Sequence, residues 1–404
     1  MTAQLKTANP AARAPSHPAL VLFALAMGGF AIGTTEFATM SLLPYFAHDL
    51  GISAPTAGHV ISAYALGVVV GAPIIAVLAA KLARRTLLLV LMGMFALANG
   101  ASALAPTYGW LLAFRFLSGL PHGAYFGIAS LVATSLVPPD KRTQAVGRLM
   151  LGLTIATVIG VPAANWLGQA IGWRWGFAVV AMLALITVAL VALHAPHDRP
   201  HAGASAMREL GALGRRQVWL TLGIGAVGFG GMFAVYTYLA STLMAVTGAS
   251  PHVVPLVLAV FGIGLTVGNL VVPAFADRAP MTGGWLLLWS AAALALFTVV
   301  AGNIWLLTLD VFLIGCGGAI AAILQTRLMD VAGEAQALAA ALNHSAFNTA
   351  NAIGPLLGGM AIAAGYGWAS TGWVGCGLAL GGLLIWVVAQ LDARRTARLD
   401  LATA

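Results

Sequence analysis

The chain has 404 residues, of which 60% are hydrophobic and only 7% charged, where a soluble domain carries about 25% charged residues. A mean hydropathy of +0.95 excludes a soluble enzyme, a secreted disulfide scaffold and a disordered chain. The formal net charge of +8 gives no reason to expect nucleic acid as a partner, because no soluble basic domain is available to bind it.

Residues 1–18 are polar and read as a tail. The apolar run after them is too long for a signal-peptide core and lacks a cleavage site, so it is expected to remain as the first helix. Crossing a bilayer takes about 20 apolar residues. Charged residues and Gly/Pro breaks leave twelve such stretches, at 19–43, 56–80, 86–105, 108–136, 143–168, 172–194, 217–246, 251–275, 283–301, 303–325, 336–363 and 367–390. The polar gap at 195–216 is rich in His, Pro, Gly and Arg and reads as a linker between six-helix halves at 19–194 and 217–390. Residues 391–404 read as a second tail. The predicted fold is an all-α membrane protein of twelve transmembrane helices in two pseudo-symmetric six-helix bundles.

With twelve spans, one side of the membrane receives 17 of the 19 Lys and Arg residues, all but Arg115 and Arg174. The excess of positive charge in cytoplasmic loops then places both termini and the linker in the cytoplasm. The halves also repeat one another. Trp110 to Arg115 matches Trp305 to Asp310, Gly123-Ala124 matches Gly318-Ala319, and Gly172-Trp173 matches Gly367-Trp368, all at an offset of 195. Gly51, Ser53, Gly71 and Lys81 match Gly248, Ser250, Gly268 and Arg278 at an offset of 197. Six helices per copy give both copies the same polarity, an arrangement that puts a substrate site between the halves near the midplane.

Ionisable groups inside a membrane span are costly and need a reason. Glu36, in Gly33-Thr-Thr-Glu-Phe37, is a protonatable carboxyl in the outer half of the first segment. It either carries a proton, meets a cationic substrate, or is a packing carboxyl paired with an arginine. Arg115 lies about 10 Å into the fourth segment at 1.5 Å per residue. Its guanidinium cannot lose its proton, so it must pair, hydrate or bind an anion. His122 follows two turns later on the same face, and its ordinary pKa near ~6.5 suits proton transfer. Asp310, the repeat partner of Arg115, is expected at similar depth, where it either pairs with Arg115 across a central cavity, contacts substrate, or stays neutral with a hydroxyl or carbonyl partner. Tyr236 and Tyr238 in the seventh segment, and Asn343, His344 and Asn348 in the eleventh, are candidates for lining a cavity or for bonding between helices. Pro162 and Pro355 interrupt helical hydrogen bonding and mark positions that can bend.

Several chemistries are absent. None of the three lysines follows a glycine, so there is no phosphate-binding loop. No metalloprotease or serine-hydrolase string occurs. Cys316 and Cys376 match no metal-ligand spacing.

From about Leu20 to Gln390 the chain resembles the major facilitator superfamily, and within it the twelve-spanning drug:proton antiporter family. Gly33-Thr-Thr-Glu-Phe37 followed by Leu43-Pro44 is similar to the first-helix signature of the branch holding arabinose-efflux-like permeases and purine-nucleoside and chloramphenicol exporters. The superfamily's loop motif between helices 2 and 3 survives only as Lys81, Arg84 and Arg85, with Ala80 where the motif has Asp. Its second copy keeps Asp277 and Arg278. The resemblance assigns these loops to conformational gating. Arg115, Gly119 and Gly123 match the fourth-helix motif, whose Arg the family links to proton transfer. Gly160-Val-Pro162 is a loosened antiporter motif, and Gly354-Pro355-Leu-Leu-Gly358-Gly359 a tighter Gly/Pro string in the eleventh segment.

The expected function is export of a small organic solute (drug, nucleoside or sugar-like) in exchange for protons by alternating access. Glu36, Arg115 and His122 would couple the proton. The alternatives are a proton symporter or uniporter of the same fold and a non-transporting sensor or scaffold. The expected partners are solute, protons and the lipid bilayer of the cell membrane. No cofactor is expected, the proton gradient supplies the energy, and a monomer is the default state.

Overall fold

A computed structural model describes residues 18–52, 54–197, 206–250, 253–279 and 281–403. Lys6, Arg13, Ser53 and Arg199 lie outside the described residues, as do the side chains of Leu43, Pro44, Arg208 and Arg398. The fold is nearly all helical. The first six helices are α1 (Pro18–Asp49), α2 (Ala54–Leu78), α3 (Arg84–Ala103), α4 (Tyr108–Ser135), α5 (142–171) and α6 (Arg174–His194). A connector helix, Ala206–Leu210, precedes α7 (216–245), α8 (Val254–Ala276), α9 (Thr282–Val300), α10 (Ile304–Val331), α11 (Gln336–Ala361) and α12 (Thr371–Thr403).

Eleven of these helices are long and apolar enough to cross a membrane. The exception is α11, whose 26 residues include Asn343, His344, Ser345, Asn348, Thr349 and Asn351. Its first half, Leu338 to Ala350, is enclosed by protein, packing against α2, α4, α7, α10 and α12, while Leu356 and Met360 near its end are exposed. Polar side chains are tolerated at membrane depth where protein encloses them. At the C-terminus, the tail expected from residue 391 instead continues α12 to Thr403. That stretch lacks Gly and Pro and is rich in Leu, Ala and Arg, all strong helix formers.

The internal repeat is visible in the backbone. Gly51 and Gly248 end α1 and α7 with φ of +63° and +70°, a region glycine enters without steric cost. The helix contacts repeat as well. A Cβ on Gly67 would meet the carbonyl oxygen of Phe116 at 2.2 Å, and one on Gly264 would meet that of Phe312 at 2.2 Å. Gly119 faces the Tyr64 carbonyl and Gly315 the Phe261 carbonyl in the same way. Backbones at this separation have room only for glycine.

These contacts align α4 with α10 at an offset of 196, from Phe116 to Phe312 and from Gly119 to Gly315. The packing counterpart of Arg115 is therefore Val311, not Asp310. The sequence match at 195 holds at the start of the helix and slips by one residue before the packed stretch. One residue is about 100° of helix rotation, so Asp310 does not look where Arg115 looks.

The two halves meet along α2 and α4 against α11, and along α5 against α8. The face carrying the start of α1, the end of α6 and the connector holds most of the described basic residues and is called the basic face. There the seam is tight. Cβ positions on Gly123 and Gly127 in α4 lie within 3.1 Å and 2.8 Å of Ala341 backbone, and one on Gly147 in α5 lies 2.6 Å from the Asn269 carbonyl. Asp277 accepts hydrogen bonds from the α5 amides of Thr143 and Gln144, and Arg142 pairs with Asp330.

Gly315→Ala should force α10 off α8, since overpacking costs about 1–3 kcal/mol. It should lower the melting temperature of the detergent-solubilised protein by several degrees. Gly93→Ala, where a Cβ meets nothing within 4 Å, should leave it unchanged or raised. Equal melting of the two variants would show that the close approach of α8 and α10 is not needed.

Candidate functional site

A cavity of about 620 Å³, its opening included, lies between the halves. Its wall is largely apolar, with Phe37, Phe229, Phe233, Phe347, Met150 and Met232. Its polar lining is Glu36, His122, Thr154, Asn269, His344 and Asn348. Phe37 of α1 and Tyr236 of α7 touch edge to face across the halves, with ring centroids 6.3 Å apart. That contact stands on the side of the cavity away from the basic face.

Glu36 is partly exposed to the cavity, and its carboxylate makes no hydrogen bond with a described residue. Thr35, its neighbour, points the other way and is buried. The Thr35 hydroxyl donates to Asn99 Oδ1 at 2.9 Å and accepts from Arg115 Nη1 at 3.0 Å. Arg115 is 1% exposed. It also bonds the Ser118 hydroxyl, and its guanidinium lies over the rings of Tyr64 at 4.4 Å and Phe177 at 5.3 Å. Hydroxyls and aromatic faces thus replace a carboxylate as its immediate surroundings, and desolvated cation–π contacts are worth about 2 kcal/mol or more. No ion pair joins Glu36 to Arg115; they act on each other electrostatically at longer range.

Tyr64 continues the network. Its hydroxyl is 2.9 Å from His122 Nδ1, and His122 Nε2 is 3.2 Å from His344 Nδ1. His122 belongs to α4 and His344 to α11, so this bond crosses between the halves at the basic-face end of the cavity. The His344 ring stacks on Phe126 with centroids 4.3 Å apart and planes at 12°. His344 Nε2 is buried with no partner. The chain has two polarities. If Tyr64 donates, both histidines carry hydrogen on Nε2 and His344 presents N–H. If His344 Nδ1 donates, the order reverses and His344 Nε2 becomes an acceptor. Passing one proton along the chain converts one form into the other.

The remaining candidates divide. Asn348 lines the cavity; its amide donates to the His344 carbonyl at 3.0 Å and leaves Oδ1 unpartnered. Asn343 turns away from the cavity to Gln325 Oε1 at 2.6 Å, a bond between α11 and α10 inside one half. Tyr236 packs on Phe37 and Phe261, whereas Tyr238 donates to the Pro355 carbonyl at 2.9 Å and fills the space left by Gly358 and Gly359. Asp310 is 1% exposed with neither carboxylate oxygen partnered, and it is not part of the cavity wall. Lys81 and Arg278 are exposed, while Arg85 caps α6 through the Ala192 carbonyl. Gly160 makes room for Thr34 beside a π-helical turn at Ala156–Gly160 that precedes Pro162, and Gly354 lies against the Gly230 carbonyl. Proline removes the amide that would keep α5 regular, and such turns relieve the loss. Tyr64, Asn99, Phe126 and Asn269 were not singled out in the sequence. Asn99 and Asn269, polar residues inside apolar segments, were the available signals.

The sequence profile of the Major Facilitator Superfamily matches residues 25–279 and 220–403. The chain is 41% identical to the inner membrane transport protein YdhP of Escherichia coli (strain K12) over 376 residues, covering 91% of this chain and 96% of YdhP. It is 36% identical to a chloramphenicol resistance protein of Streptomyces lividans over 349 residues, covering 84% and 88%. Among solved structures, FucP in its outward conformation superposes with a TM-score of 0.74 at 15% identity, covering 92% of this chain and 98% of FucP. The proton:xylose symporter XylE, bound to 6-bromo-6-deoxy-D-glucose, gives 0.74 at 15% identity, covering 92% and 96%. At that identity the likeness is one of fold. Helix order, internal repeat, inter-half cavity and full-length relatives agree: the chain belongs to the major facilitator superfamily and is a multi-pass membrane transporter.

Proposed function

We propose that the protein exports a small organic solute from the cytoplasm in exchange for protons. One observation carries this reading: an unpaired carboxylate, Glu36, and the unpartnered end of a Tyr64–His122–His344 chain line one cavity between the halves. A group that binds a proton and a solute by turns must be reachable from the cavity and free of a fixed partner. Glu36 meets both conditions. Arg115 acts on Glu36 at a distance without bonding it, and Thr35 ties the two together through the backbone of α1. The histidine chain gives the proton a way between Glu36's cavity and the seam on the basic face. A second proton on His344 puts hydrogen on both its ring nitrogens. Its bond to His122 then survives only if His122 Nε2 accepts.

The wall also bears on the solute. Four phenylalanines and two methionines suit an apolar or aromatic body. Oδ1 of Asn269 and Oδ1 of Asn348 are unpartnered acceptors, and Glu36 is a third. This lining favours a solute with hydrogen-bond donors or a positive charge over an anion. The printed name of the chloramphenicol resistance relative supports the efflux reading, and the distribution of Lys and Arg supports cytoplasmic termini. With the basic face in the cytoplasm, the tight seam described above would be the cytoplasmic gate in its closed state.

Inverted membrane vesicles loaded with acid and a pH dye should release protons when a transported solute is added. Glu36→Gln should abolish that release, by at least ~100-fold if the carboxyl is the obligatory carrier, while solute counterflow continues. Solute movement with no opposing proton flux in the unaltered protein would instead identify a uniporter. Tyr64→Phe keeps the ring beneath Arg115 and removes only the hydroxyl bonded to His122. It should cost about 1 kcal/mol of stability and slow proton-coupled exchange roughly tenfold or more, with counterflow preserved. Unchanged exchange in this variant would remove the histidine chain from the proton path.

A further inference from the structure

Two carboxylates at the basic face, Asp277 and Glu209, form an unequal pair. Asp277, in the α8–α9 loop, accepts from the backbone amides of Thr143 at 2.9 Å and Gln144 at 3.0 Å. These are the second and third residues of α5. The first amides of a helix have no partner within the helix, and an anion there gains from the helix dipole. A carboxylate of the C-terminal half therefore caps a helix of the N-terminal half across the seam.

The repeat relating α2 to α8 has an offset of 197, fixed by Gly67 to Gly264 and by Gly71 to Gly268. It carries Asp277 onto Ala80, which has no oxygen in its side chain. The symmetric cap on α11 cannot come from that loop. It comes from the connector. Glu209 Oε2 accepts from the Leu338 amide at 2.9 Å, and the neighbouring Ala337 amide also stabilises its carboxylate. Ala337 and Leu338 are the second and third residues of α11, the same two positions that Asp277 occupies on α5.

Glu209 is 9% exposed. Its connector helix packs against both α2 and α11, one from each half. Burial pushes its carboxyl up from the ordinary range, and the two amides and the Arg84 guanidinium at the start of α3 pull it back. Arg84, Glu209 and the first turn of α11 thus form a bridge from one half to the other.

We propose that Glu209 is the second latch of the basic face, a positioning residue that replaces the carboxylate missing at Ala80. One latch is held by a loop and the other by the segment joining the halves. The inference does not depend on which solute is carried or on antiport. Any ligand or modification that pulls the connector away from α2 would release one latch and leave Asp277 in place.

Hydrogen–deuterium exchange of the full-length protein in lipid nanodiscs reads both helix starts at once. Glu209→Ala should raise exchange of the amides at 337–339 on the order of tenfold, as expected for loss of a helix cap. The α5 amides at 143–145 should stay at their wild-type rate. Asp277→Ala should do the converse. Adding Ala80→Asp to Glu209→Ala should restore protection of α11. Ala80→Asp alone should change little, because Glu209 already holds those amides. The proposal is overturned if Glu209→Ala leaves α11 exchange unchanged, or if it loosens α5 and α11 equally. It is also overturned if Ala80→Asp fails to restore α11 in the double variant. Should Glu209→Ala not fold, increased protection of α11 in Ala80→Asp alone would overturn it too, by showing those amides were free.

Discussion

The permanent charge of Arg115 is the constraint on which the N-terminal half depends. A guanidinium cannot be neutralised by losing a proton, and water is excluded from its site. The chain surrounds it with weak, well-placed partners in place of a carboxylate: two hydroxyls and two ring faces. Each partner is itself fixed. Thr35 is held by Asn99, Tyr64 by His122, and Phe177 by the packing of α6 against α1 and α3. Because no carboxylate neutralises Arg115 directly, its field reaches Glu36 in the cavity. A close ion pair would have spent that field on a fixed contact and, under the proposed coupling, would leave Glu36 less free to exchange its proton.

The C-terminal half shows what happens when the same scaffold carries no such charge. The packing repeat places Val311 where Arg115 stands and Phe261 where Tyr64 stands. Glycines at equivalent positions still bring α8 and α10 into backbone contact, so the architecture survives the loss of the polar cluster. Helix approach and site chemistry are separable here. The glycines set the first identically in both halves, and single substitutions on that frame made one half the site of the buried cation.

The fold was legible because membrane spans are announced by length, apolar composition and the placement of Lys and Arg. Even α11, too polar to be found by hydropathy alone, was marked by the charged break ending at Glu334 before it and the glycine break at Gly365 and Gly367 after it. Glu36, His122, His344 and Asn348 could be placed near a cavity because polar side chains inside apolar segments are costly and few. The partners were less legible. Tyr64 carries no signal in an apolar run, since a buried tyrosine is an ordinary core residue until its hydroxyl is seen beside a histidine. Asp310 was misplaced by a single residue of register, which composition cannot detect and which turns a side chain by about 100°. Glu209 was hidden for another reason: its role is defined by the absence of an acid at Ala80, and only the geometry of the first turn of α11 shows the vacancy filled.

Alternating access requires the seam at the basic face to be strong enough to close and weak enough to part. Among the described residues the polar contacts crossing it are few: His122 to His344, Thr154 to Thr266, Arg142 to Asp330, the two amides held by Asp277 and the Leu338 amide held by Glu209. Most are near the membrane surface, where water can take over each broken bond, so separation forfeits little. The histidine pair and the Thr154–Thr266 hydroxyl pair are the exceptions. They lie at membrane depth beside the cavity, where a parted ring nitrogen or hydroxyl has only solute or cavity water to bond. The bonds that stay within a half, such as Asn343 to Gln325 and Arg115 to Thr35, are deeper and need not change as the halves rock. The chain therefore places most of its costly buried polar bonds inside each bundle and most of its replaceable ones between them. Of the two deep bonds across the seam, one joins the two histidines whose shared proton distinguishes the two polarities of the chain.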